Sequence, residues 1–138
     1  MNNLAELYRK QGKYEAAEPL YVDALAMWKK LLGEEHPDVA QSMNNLAALY
    51  YSQGKYEVAE PLYVDALAIS KKLLGEEHPD VASSMNNLAE LYRKQGKYEA
   101  AEPLYVDAIK ILETVLGNEH PWTITIRNNY QIMLDKMS

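Results

Sequence analysis

Apolar residues recur three and four positions apart along the chain, in groups that themselves recur. Between Pro37 and Gln53 they fall at Ala40, Met43, Leu46, Ala47 and Tyr50, the stripe of an amphipathic helix. Between Tyr56 and Leu74 they fall at Ala59, Leu62, Tyr63, Ala66, Leu67 and Ile69, which predicts a second helix. We term these helices A and B. Proline and an early carboxylate in His36-Pro37-Asp38 suit the first turn of helix A, and Gly54 ends it. Lys71 and Lys72 lie in the last turns of helix B, and Gly75 supplies a left-handed cap. Pro61 lies beyond the first turn of helix B, so a mild bend is expected there and at Pro19 and Pro103.

A shift of 42 residues superimposes the chain on itself, aligning Met1, Met43 and Met85, then Gly12, Gly54 and Gly96, then Pro19, Pro61 and Pro103. Residues 1–24 are identical to 85–108, and 43–66 differ from them only at Ala48, Tyr51, Ser52 and Val58. A fixed period of this length marks a solenoid, in which each helix pair buries its apolar stripe against the next. Two- or three-residue links make A and B antiparallel, and the alanines at 47, 59 and 66 allow close approach. The expected organisation is a single domain over residues 1–138, with repeats at about 1–36, 37–78 and 79–120 and a capping helix at 121–138. In the last helix, expected from Pro121 to about Lys136, Trp122, Ile124, Ile126 and Tyr130 replace repeat residues, which reads as a cap. The first helix A begins without a His-Pro-Asp start, so an uncapped, apolar N-terminal end is expected, where either upstream repeats have been lost or two chains self-associate by stacking.

The run from Met43 through Asn44, Asn45, Leu46, Ala47 and Tyr50, continued by Gln53-Gly54-Lys55-Tyr56 and by Ala59-Glu60-Pro61-Leu62-Tyr63, resembles the tetratricopeptide motif in its 42-residue form. Together with Leu74-Gly75-Glu76-Glu77-His78-Pro79-Asp80, it is most similar to kinesin light chain repeats, over essentially the whole chain. The resemblance implies an all-α solenoid wound as a right-handed superhelix of three antiparallel helix pairs plus a C-terminal capping helix. It also implies a protein-interaction module that binds an extended peptide in a concave groove lined by the A helices. The Lys, Asn and Arg set with which some relatives clamp a chaperone's C-terminal carboxylate is missing, since Asn44 and Ala48, then Ser83 and Asn87, stand on these helices.

Helix A carries a second, polar stripe of Gln41, Asn44, Asn45, Ala48, Tyr51 and Ser52, matched in the third unit by Ser83, Asn86, Asn87, Glu90, Arg93 and Lys94. Three of the four differences between the first and second units fall on it, through drift of exposed positions or through tuning of a groove. Asn-Asn pairs recur in every A helix although asparagine is a poor helix-interior residue. One reading makes Asn3, Asn45, Asn87 and Asn129 an amide ladder for a peptide backbone, as the resemblance implies. The other has one Asn of each pair bonding a neighbouring helix or turn, and the two can divide between the pair. Tyr51 replaces Arg9 and Arg93 and offers an aromatic face, whereas the tyrosines that recur in register are packing residues in a chain without phenylalanine. The candidate binding residues are therefore Asn3, Asn44, Asn45, Tyr51, Asn86, Asn87, Glu90, Arg93, Lys94 and Asn129. Arg9, Lys10, Arg93 and Lys94 make the stripe locally basic, with Glu6 and Glu90 offsetting them one turn away, which favours an acidic or mixed-charge peptide.

The remaining composition narrows the functional classes. Net charge of -6 disfavours nucleic acid and anionic membranes as partners, and no stretch approaches the roughly 18 apolar residues of a membrane span. The absence of cysteine removes disulfides, thiolate sites and thiol nucleophiles and suits a cytoplasmic location. His36, His78 and His120 recur in register, but stacked equivalents stand about 10 Å apart, too far to share a metal ion, and are expected to shape the turn before each proline. The sequence holds no nucleophile with a nearby base and no phosphate-binding loop, so no catalytic residue, cofactor or metal is expected. The alternative to a peptide-binding module is a structural or engineered scaffold whose property is end-to-end stacking, which near-perfect repetition would suit.

Overall fold

The computed structural model describes residues 12–137. The first helix A, with Asn3 and the N-terminal end expected to self-associate, lies outside the described residues. Those described form an all-α repeat fold, with helices α1 (Tyr14–Leu32), α2 (Pro37–Ser52), α3 (Tyr56–Leu74), α4 (Pro79–Lys94), α5 (Tyr98–Val115) and α6 (Pro121–Met137), and no strand among them. In repeat terms α2, α4 and α6 are A helices, and α1, α3 and α5 are B helices. The contacts divide the chain into two compact units, Met1–Ile69 and Ser70–Ser138, with the last turn of α3 in the second.

The helix boundaries follow from local chemistry. His36 and His78 sit in extended conformation as N-caps, each followed by proline at the first helical position. The ring Nδ1 of His36 accepts the Asp38 N–H at 3.1 Å, and that of His78 accepts the Asp80 N–H at 3.0 Å. His120 repeats the bond with the Trp122 N–H at 3.1 Å. The histidines thus do more than shape the turn, because each satisfies an amide that the first helical turn leaves without a partner. At the other end, Lys55 N–H reaches back to Tyr50 O at 2.8 Å and Gly54 N–H to Tyr51 O at 3.0 Å, and Lys97 and Gly96 repeat both distances to Tyr92 and Arg93. This paired closure needs a left-handed residue, and Gly54 and Gly96 supply it with φ of 76° and 75°. The B helices run as α-helix through Pro19, Pro61 and Pro103, all on exposed faces.

In the first unit, Ala17, Tyr21 and Leu25 of α1 pack with Val39, Ala40, Met43, Leu46 and Leu49 of α2, and Ala66 of α3 joins them. Leu62, Ile69, Trp28 and Tyr50 close the edge of this core. Val39 and Leu49, which the apolar stripe omitted, are wholly buried. In the second unit α4 packs on α5, and α5 on α6. Its buried set includes Val81, Met85, Leu88 and Leu91 of α4, Tyr105, Ala108 and Leu112 of α5, and Thr123, Ile126 and Met133 of α6.

Candidate functional site

Burying one stripe of α2 and of α4 leaves the opposite, polar stripe half-exposed, so the candidate residues of each helix share a face. On α2, Asn45 Oδ1 accepts a hydrogen bond from Gln41 Nε2 at 3.1 Å, one turn earlier. Asn44 is half-buried, and its Oδ1 is buried without a hydrogen-bond partner. Tyr51 lies against Tyr56 of α3 with ring centroids 5.6 Å apart and planes tilted by 60°, while Lys55 stands 6.0 Å over the Tyr50 ring. This face is neutral and aromatic.

The face of α4 is organised by charge. Glu90 Oε2 accepts from Arg93 Nη2 at 2.6 Å, and Glu90 Oε1 accepts from the Tyr105 hydroxyl of α5 at 2.7 Å. The Glu90 and Arg93 side chains are only 19% and 13% exposed, so this pair is largely withdrawn from solvent and takes part in packing. Charge-assisted hydrogen bonds of this kind are the strong ones. The bond to Glu90 raises the Arg93 pKa further, so the guanidinium stays protonated. Burial, then the bond to Glu90, pushes the Tyr105 phenol well above the ordinary tyrosine value. Lys94, one position further on, is exposed.

The two asparagines of the α4 pair have separate surroundings. Asn86 Oδ1 accepts from Asn129 Nδ2 of α6 at 3.2 Å, tying α4 to α6, whereas Asn87 stands half-exposed beside them. A residue from the first position of one pair thus meets one from the second position of the next. Tyr130 also faces this region, with its ring 5.7 Å from Tyr105 and its hydroxyl donating to Glu102 Oε2 at 2.9 Å. Burial first, and then Glu102, raises its pKa.

Sequence reasoning placed Glu90 and Arg93 one turn apart but did not find Tyr105 as their partner. Tyr56 was likewise counted only as a packing residue. The one available signal was that Glu6 and Arg9 occur together, as Glu90 and Arg93 do, while Ala48 and Tyr51 replace both. Among the described residues no cluster of three His, Asp or Glu side chains could hold a metal ion, and no helix is long and apolar enough to cross a membrane.

A sequence model of the tetratricopeptide repeat matches residues 1–72, 45–114 and 80–135. Two crystal structures of a Podosopora anserina chain assigned as a kinesin light chain with nearly identical TPR-like repeats, one of them a point variant, align at TM-score 0.88 and 29% identity over 96% of this chain. BtubC (BKLC) from P. vanneervenii aligns at TM-score 0.85 and 31% identity over 97% of this chain. This chain covers 62%, 63% and 53% of those three chains, respectively. A nucleotide-binding leucine-rich repeat (NLR)-like protein of Hyaloscypha variabilis is 47% identical over 43 residues, which are 31% of this chain and 4% of that protein.

Proposed function

The chain belongs to the tetratricopeptide repeat family, and from that premise we propose that it is a non-catalytic interaction module whose polar A-helix faces bind an extended peptide. The observation that carries the reading is the division of labour in α4, where Asn86 is held by Asn129 and the adjacent Asn87 keeps its amide on the half-exposed face. A primary amide has donors and an acceptor, so it can hold a peptide backbone whatever the side chains are. Asn45 presents the equivalent group on α2, ordered by Gln41, and Tyr51 beside Tyr56 offers an aromatic surface for a ligand side chain. Glu90 neutralises Arg93, so Lys94 is the cation that α4 offers to solvent, which fits a mixed-charge peptide better than a strongly acidic one. The expected location is the cytoplasm.

Screening a peptide display library against the wild-type chain and against Asn45→Ala/Asn87→Ala tests this. Peptides enriched on the wild type and lost on the double variant support it. Enrichment that ignores the asparagines overturns it. A second reading, a scaffold that self-associates by stacking and has no ligand of its own, is favoured by the identity of residues 1–24 and 85–108. It requires no enriched peptide and a mass that rises with concentration in sedimentation.

A further inference from the structure

The apolar surface that α1 offers to α2 is repeated on the first part of α5, because residues 14–24 and 98–108 are identical, while Leu25 and Trp28 give way to Ile109 and Leu112, which are also apolar. Over that identical stretch, packing alone gives α5 little means of telling α6 from an A helix of another copy of the chain. Polar side chains peculiar to α6 are bonded at this joint. Thr123, in place of Val39 and Val81, donates to Gly117 O at 2.9 Å, and Tyr130, in place of Leu46 and Leu88, donates to Glu102. Arg127, in place of Met43 and Met85, bonds the Glu113 carboxylate and reaches Asn118 Oδ1 at 3.0 Å and Asn118 O at 3.4 Å.

These bonds differ in what they can discriminate. Gly117 and Glu102 have counterparts in Gly33 and Gly75 and in Glu18 and Glu60, so their bonds would be available on any B helix. Glu113 has no such counterpart, because Lys29 and Lys71 stand in its place. Glu34 and Glu76 stand in place of Asn118. Arg127 therefore meets one net negative charge on α5, whereas the corresponding pair on α1 or α3 sums to zero. In the other direction, Met43 and Met85 are buried, and a methionine set at this position on α5 would lie beside the Glu113 carboxylate, which gains nothing from a thioether.

We propose that Arg127 and Glu113 form a pairing key at the α5–α6 joint, which selects α6 for α5 and disfavours the methionine-bearing A helix of a second copy. The key departs from the repeat on both sides, with arginine for methionine on the A helix and glutamate for lysine on the B helix. Like a charge pair at a coiled-coil edge, it adds modest affinity and sets which surfaces pair.

The test uses the full chain and two readouts, hydrogen exchange of the amides in residues 121–137 and sedimentation velocity over a range of concentrations. Glu113→Lys restores the repeat residue and faces Arg127 with a like charge. It should speed exchange across α6 by about tenfold and raise the average mass above that of the wild type at matched concentration. The charge exchange Arg127→Glu with Glu113→Arg should return both readouts to wild-type values. Exchange in α1 and α2 serves as the reference for intact folding, and if Glu113→Lys disturbs it the charge-exchange variant decides alone. Unchanged α6 exchange in Glu113→Lys, a loosened α6 without a gain in mass, or failure of the charge exchange to restore both readouts would each overturn the proposal.

Discussion

Helices α2 and α4 run on one frame, from Pro37-Asp38-Val39-Ala40 and Pro79-Asp80-Val81-Ala82 to Leu49-Tyr50 and Leu91-Tyr92, yet their polar faces have become different surfaces. On α2 the face ends in Ala48, Tyr51 and Ser52, and its main feature is a tilted tyrosine pair. On α4 the same positions hold Glu90, Arg93 and Lys94, and the first two close on the Tyr105 hydroxyl. Neither the histidine caps nor the glycine closures differ between them by more than 0.1 Å. Faces can therefore change while caps and core stay fixed, which is how a repeat array diversifies its surface without renegotiating its fold.

The largest way to break the contrast is Glu90→Ala, which gives α4 the residue of α2. It leaves a buried phenol and a largely buried guanidinium without their acceptor, at an expected cost of about 3 kcal/mol in urea unfolding. A loss below about 1 kcal/mol would mean that the charged face is no more stabilising than the neutral one.

Tyr105→Phe removes one bond and leaves the ion pair, so about 1 to 2 kcal/mol should be lost. It should also change the alkaline limb of stability. The folded phenol holds its proton more tightly than the unfolded one, so its contribution is intact below the ordinary tyrosine pKa near 10 and is lost as pH rises through the higher folded value. Melting temperature recorded from about pH 9 to 12 should fall less steeply for the phenylalanine variant than for wild type. Equal slopes would refute the assignment.

Building the network in reverse is a subtler change. Ala48→Glu with Tyr51→Arg places the α4 ion pair one turn apart on α2 and should add about 0.5 kcal/mol of stability, with Ala48→Glu alone adding less. The smallest effect on folding belongs to Lys94→Ala, within about 0.5 kcal/mol, because the side chain is exposed. If that variant also captures selected peptides as well as wild type does, Lys94 is not a ligand contact.

The frame of the molecule was readable from local chemistry. Tyr56 and Leu74 bound α3 as the periodicity predicted, and Pro121 starts α6, which runs one residue past the expected Lys136. These features depend on spacing, proline and glycine, all of which act within a turn or two. The histidines were half legible, since their place before each proline was plain, but a side-chain cap from histidine is not the usual choice of Ser, Asp or Asn. The Asn86 to Asn129 bond was anticipated in kind but not in partner. The Glu90 to Tyr105 bond was hidden because the recurring tyrosines serve the core, and only folding shows that a buried ring can send its hydroxyl to a neighbouring helix. Arg127, likewise, carried no signal of its own in the sequence, because its acceptors come from α5 and the following turn.

The histidine caps also equip the molecule with its own spectroscopic reporters. A ring nitrogen that accepts a backbone N–H carries no proton, so in the neutral imidazole each cap fixes the proton on Nε2. The three histidines are the only ones in the chain, and each marks the start of one A helix. Nitrogen-15 spectra of their rings would give three separable signals of one tautomer, and a joint that opened would announce itself by tautomer exchange at its own histidine while the other two stayed silent.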